Sequence, residues 1–149
     1  MKILIIQNRM GIGDMVIFLP YIEAISKKFN SPITLLTKQS SRAEEYLSSN
    51  NNIEEIIDLK RDNNNDYHGG VLGFLRLRKD LKKLKFDKAF IFNSSLRYNL
   101  VCKFAGVKEI YQYPLLKKNK QHIIDAAKKL VKKININVEN DPQISIEKN

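Results

Sequence analysis

The chain has 149 residues, 43% hydrophobic and 28% charged, with 26 Lys and Arg against 16 Asp and Glu for a formal charge of +10. That is one soluble globular domain with length enough for a proper core, and no apolar run approaches the roughly 20 residues of a membrane span. A single cysteine, Cys102, excludes an internal disulfide framework and a cysteine-based zinc site, and the two histidines, His68 and His122, lie far apart, which argues against a metal site.

The N-terminus enters a strand pattern directly, with no signal-peptide layout, and the cysteine usage fits a reducing cytosol. The positive balance favours anionic partners: nucleic acid, anionic lipid head groups or phosphorylated substrates. Lysine is abundant throughout, so a compositional bias explains that charge equally well.

Residues 2–7 are apolar nearly throughout, as a strand covered on both faces should be. A glycine-bearing turn, Gln7-Asn8-Arg9-Met10-Gly11-Ile12-Gly13-Asp14, leads into a helical pattern over about 14–29. Lys27 and Lys28 fall in its last turn, where cations suit the helix dipole, and Pro20 predicts a kink or a short first turn. Asn30-Ser31-Pro32 is a turn, 33–37 a second strand, and 40–49 a helix that Ser40 or Ser41 can cap. A third strand lies at 55–59, followed by a polar, glycine-bearing loop over 60–70 that includes His68. A basic helix over about 71–85 comes next, then a fourth strand at 88–92. Asn93-Ser94-Ser95 can cap a helix over 96–105 that Gly106 ends, and 109–113 is a fifth strand. A last basic helix covers 120–134, and 135–149 reads as a linker with a short strand-like stretch, 143–146.

Strands alternating with helices predict a doubly wound, Rossmann-like parallel sheet of order 3-2-1-4-5 over residues 1–134. Strands 1 and 4 are then neighbours where the winding reverses, and ligands of such sheets bind there, at the carboxyl ends of the strands. Two segments flank that crevice: residues 9–14 after strand 1 and 93–97 after strand 4.

The turn is not a dinucleotide fingerprint, because the third glycine would fall at Val16, and it is not a P-loop, because no Gly-Lys-Ser/Thr follows. It does place backbone N–H groups and a carboxylate, Asp14, at a helix mouth. Asp14 reads either as a helix cap or as a chemical group. Arg9, Lys60, Arg61 and Arg97 follow strand ends and suit carboxylates or phosphates of a ligand, Arg through its bidentate fork. Ser94 and Ser95 can cap, donate to a ligand, or both. Cys102, on an apolar helix face with Val101 and Phe104, reads as a buried inert thiol. The lysine-rich stretches at 79–85, 117–120 and 128–133 read as solvated faces that could also rest on anionic lipid. No RNA- or DNA-binding motif accompanies them.

An N-terminal apolar strand, an Ile12-Gly13-Asp14 turn and an apolar run ending in Leu19-Pro20 resemble the opening of the heptosyltransferases, family 9 of the glycosyltransferases. The resemblance runs on through 33–36, 56–59, Phe86-Asp87, Asn93 to Arg97, Ala105-Gly106 and His122. It covers nearly the whole chain but only the N-terminal half of a family member. It implies one half of a GT-B architecture, with residues 135–149 a linker toward a C-terminal nucleotide-sugar domain that the chain lacks. It further implies an inverting, metal-independent transfer from a nucleotide-sugar, ADP-heptose, to an anionic glycolipid acceptor, the lipopolysaccharide core, at the cytoplasmic face of the membrane. Asp14 takes the general base's place, and Arg9, Gly11, Gly13, Lys60, Arg61, Ser94, Ser95 and Arg97 are the expected acceptor contacts. No cofactor is expected beyond the donor itself. The turn is one residue longer than the usual family form, and Gly11 stands where serine is common. The alternative is a stand-alone, non-catalytic Rossmann-like module holding a phosphorylated or anionic ligand at the Gly11–Asp14 turn.

Overall fold

In a computed structural model of the chain, the described residues are 1–7, 12–38 (12–17 as backbone), 50–60, 66–93, 95–112, 130 and 132. Strand β1 (Ile3–Gln7) leads to helix α1 (Ile12–Phe29), then β2 (Ile33–Thr37), β3 (Ile53–Asp58), α2 (Gly70–Leu84), β4 (Lys88–Ile91), α3 (Leu96–Phe104) and β5 (Glu109–Gln112). All pairings are parallel, and the order is β3-β2-β1-β4-β5, as the pattern predicts. The sequence-derived boundaries hold to within two residues. The expected helix over 40–49, most of the last helix over 120–134 and the tail 135–149 lie outside the described residues.

Each central strand is buried throughout because helices cover both faces of the sheet. The period-2 alternation of side chains divides the core in two. Ile3 and Ile5 of β1 join Ile33 and Leu35 of β2 and the α1 side chains Phe18, Leu19, Tyr21, Ile22 and Ile25. Leu130 packs into that same cluster. Leu4 and Ile6 face the other way, onto Leu77 and Leu81 of α2 and Tyr98, Val101 and Cys102 of α3. Burial pushes the Cys102 thiol up to about 12, so it is an inert apolar filler, as expected; Val101 is buried with it, whereas Phe104, expected on the same face, is exposed.

Pro20 sits inside α1, which runs unbroken past it, so the expected short first turn does not occur. The packing of Leu19, Tyr21 and Ile22 against the sheet offsets the lost backbone hydrogen bond. The helix also begins two residues before the expected 14. Its far end is closed by Asn30 at φ 48°, with Asn30 N–H donating to Lys27 O and Ser31 N–H to Ser26 O. Helix α3 ends the same way at Gly106, φ 86°, whose N–H donates to Lys103 O while Val107 N–H reaches Cys102 O.

Candidate functional site

The switch point of the sheet lies where β1 and β4 pair side by side and their chains leave for opposite faces. At that edge Gln7 ends β1 in a fully buried position. Gly13 and Asp14 stand in the first turn of α1, whose positive N-terminal mouth opens beside it. Asp14 is therefore inside the first helical turn rather than at a cap preceding it. Arg9 and Gly11 lie outside the described residues.

Across the reversal, pairing continues one residue past β4, with Phe92 N–H donating to Ile6 O at 3.0 Å. Phe92 is buried against two rings of α1, Phe18 at 5.2 Å and Tyr21 at 6.4 Å between centroids. This aromatic triad fixes α1 against the residue at which β4 ends and the following loop begins.

That loop is held by carboxamides. Asn93 Oδ1 accepts the Ser95 N–H at 2.8 Å, a local turn closed by the side chain. Gln112, at the end of β5, donates through Nε2 to Ser95 O at 2.8 Å and to Asn93 Oδ1 at 3.4 Å. Its Oε1 accepts from Asn99 Nδ2 at 2.9 Å. Ser95 occupies the N-cap position of α3 but makes no side-chain cap bond, contrary to the expected capping role. The loop is shaped instead by the Asn93 and Gln112 amides. Ser94 lies outside the described residues.

Arg97, in the first turn of α3, reaches away along this edge. Its Nη2 donates to the carbonyls of His68 at 2.9 Å and Gly70 at 2.7 Å, and its guanidinium lies 5.7 Å from the centre of the Phe74 ring. Gly70 accepts that bond at φ 64°, a backbone conformation that side-chain-bearing residues rarely adopt. Arg97 thus ties the loop after β4 to the loop after β3.

His68, expected to be an ordinary loop residue, is the centre of that second loop. It is 3% exposed. Its N–H donates to Lys60 O at 2.9 Å, and its Nδ1 accepts from Lys60 N–H at 3.0 Å. The other ring nitrogen, Nε2, is 3.3 Å from Asp80 Oδ2 and so carries the proton of the neutral ring. Burial lowers the His68 pKa from its ordinary value; the Asp80 carboxylate opposes that shift, and Lys60 and Arg76 add to it. The loop packs so closely on α2 that a Cβ on Gly73 would stand 2.1 Å from the His68 carbonyl carbon. Lys60 itself is exposed, with its ammonium 5.8 Å from the centre of the Tyr67 ring. Arg61 and His122 lie outside the described residues.

The structure therefore gathers the α1 mouth with Gly13 and Asp14, the Asn93–Ser95 loop and Arg97 along one edge, and leaves Lys60 at its periphery. Gln112, Asn99 and His68 join them unannounced by the sequence. Gln112 is a polar residue at a strand end and Asn99 a polar residue inside a mostly apolar helix, whereas His68 stands in a polar loop that carries no local signal. Among the described residues, no group of three or more His, Cys, Asp or Glu is placed to hold a metal ion.

Fold and site together define a doubly wound parallel α/β domain whose switch point is edged by buried polar side chains. No protein-family model matches the chain, and no curated protein sequence matches it significantly. Solved structures do. A glycosyl transferase family 9 protein from Veillonella parvula DSM 2008 superposes with a TM-score of 0.69 at 17% identity, over 94% of this chain and 43% of that one. The E. coli ADP-heptose lps heptosyltransferase II gives 0.58 at 20% identity, over 75% of this chain and 30% of its own. The E. coli heptosyltransferase WaaC with ADP gives 0.60 at 10% identity, over 94% and 49%. The family that the glycine turn resembles is thus the family whose structures share this fold. The chain spans half or less of the length of each.

Proposed function

We propose that the chain is the acceptor-binding half of an inverting, metal-independent, GT-B glycosyltransferase of the heptosyltransferase kind. The observation that supports this reading best is the topology at the sheet's reversal, where β1 pairs with β4, α1 with Gly13 and Asp14 in its first turn follows β1, and α3 with Arg97 in its first turn follows β4. The likeness to family 9 structures adds to it.

In this reading Asp14 is the general base. It accepts the proton of an acceptor hydroxyl as that oxygen forms a bond to the anomeric carbon of the donor sugar. The bond from that carbon to the nucleotide diphosphate breaks, the electron pair leaves with the diphosphate, and the configuration inverts. The helix mouth suits the role because its N–H groups and dipole favour the ionised carboxylate. Gly11 and Gly13 let the acceptor approach the backbone, Ser94 and Ser95 offer hydroxyls, and Arg9, Lys60 and Arg61 attract its anionic groups, while Arg97 holds the loops after β3 and β4 together. The acceptor is an anionic glycolipid, the lipopolysaccharide core. The donor, ADP-heptose, occupies a second Rossmann-like domain to which residues 135–149 lead. The setting is the cytoplasm, at the inner face of the membrane.

Calorimetry on the chain alone tests the assignment of halves. A soluble lipopolysaccharide inner-core fragment should bind, and ADP should not. Tight ADP binding without core binding would contradict an acceptor-side domain and favour a free-standing module for phosphorylated ligands.

A further inference from the structure

Helix α2 turns Gly73, Leu77 and Leu81 inward, a stripe with one residue per turn. Its opposite face is not the polar surface this would lead one to expect. Val71, Leu72 and Leu75 are 80%, 65% and 49% exposed within little more than one turn. Phe104, at the end of α3, is 57% exposed and meets the edge of Phe74 at 6.2 Å, while Arg78 Nε donates to Phe104 O at 3.2 Å. The same helix carries five cations against one carboxylate, Asp80, and that carboxylate is turned to His68. A shallow groove beside the apolar residues is lined by Leu75, Arg78, Lys79, Lys82 and Lys83.

We propose that this face of α2, together with Phe104, is a docking surface for an anionic phospholipid bilayer. Its composition selects that occupant. A nucleic acid would meet the cations but leave four large apolar side chains in water. A second copy of the chain, docked by two-fold symmetry, would bring one set of cations against another. A bilayer satisfies both features: aliphatic and aromatic side chains enter the boundary between head groups and acyl chains, while Lys and Arg stems reach anionic phosphates at the surface. Val71 and Leu72 open α2 at the carboxyl edge of the sheet, where Leu96, 43% exposed, opens α3. Docking therefore brings the carboxyl edge of the sheet to the lipid. That this serves a lipid-borne acceptor rests on the transferase reading; the lipid contact itself does not.

Flotation of the full chain with vesicles of equal parts phosphatidylglycerol and phosphatidylcholine, against phosphatidylcholine alone, tests the proposal. Binding should be confined to the anionic vesicles and weaken as salt rises. Leu72→Ser with Leu75→Ser should weaken it on the order of tenfold with an unchanged melting curve, and Lys79→Ala by roughly fivefold. Equal binding to both vesicle types, or a double variant that floats like the parent, would overturn it. So would a dimer in sedimentation that the double variant dissolves, or salt-dependent duplex DNA binding, where no vesicle binding is seen. None of these outcomes bears on Asp14, so failure here and failure of the transferase reading are separable.

Discussion

The two edges of the sheet hold their polar groups in opposite ways. At the amino edge, polar groups meet near water: the Lys2 backbone N–H donates to Asp87 Oδ2 at 2.8 Å, Asp87 N–H returns to Lys2 O, and the Lys88 ammonium pairs with the exposed Glu109 carboxylate. The Glu109 pKa is lowered by its hydrogen bonds from Lys88 and Tyr111. At the carboxyl edge the groups are mostly neutral and buried: Gln7, Asn99, Gln112 and His68 are all under a tenth exposed. Exposed ion pairs contribute little to stability, whereas a buried polar group must be satisfied or it destabilises. The bonds of Gln112 to Asn99, Asn93 and the Ser95 carbonyl, and of His68 to Lys60, fix the shape of that edge.

Substitutions should reproduce that asymmetry. The largest loss of stability is expected for Gly73→Ala, because the new methyl group would overlap the His68 backbone. Displacing that loop should cost roughly 3 kcal/mol in urea unfolding. Gln112→Ala removes the partner of Asn99 and of the Ser95 carbonyl and should cost about 2 kcal/mol. A loss no larger than that of an exposed substitution would show that the amides do not hold the loop.

His68 adds a pH dependence to the same edge. Its folded pKa lies below its ordinary 6.5, so the unfolded chain binds the extra proton more readily. Stability attributable to His68 should be complete above about pH 6.5 and decline as the pH falls toward the folded value. Protonating Nδ1 would also oppose the Lys60 N–H that it accepts. In His68→Gln this part of the pH profile should flatten, and a profile unchanged by the substitution would contradict the assignment. The smallest effect belongs to the other edge: Glu109→Gln should leave the melting temperature unmoved, and a clear drop would break the contrast.

Much of this fold was legible because period-2 and period-3.6 patterns leave few alternatives once strands and helices alternate. The order of the sheet and the pairing of β1 with β4 followed from chain-crossing rules rather than from any single residue. The carboxyl edge was legible only in outline. Arg97 reads from sequence as a ligand group, yet its guanidinium reaches two carbonyls of another loop, a contact 27 to 29 residues away that no local pattern encodes. His68 was passed over because its surroundings are polar in sequence, while its burial arises from α2 folding back over it at Gly73. Gln112 is one polar position in the fifth strand, and its role depends on Asn93 and Asn99 arriving from elsewhere. Contacts made by polar side chains between loops are set by tertiary structure, whereas the apolar alternation that builds the sheet is written locally.

The central claim is that Asp14, at the mouth of α1, is the base of a sugar transfer. The most direct measurement is heptose transfer from ADP-heptose by this chain joined to a donor domain, with Asp14 or with Asp14→Asn. The account predicts a rate loss of about 10²- to 10⁴-fold with the melting curve and acceptor affinity retained. Full activity in Asp14→Asn would contradict it.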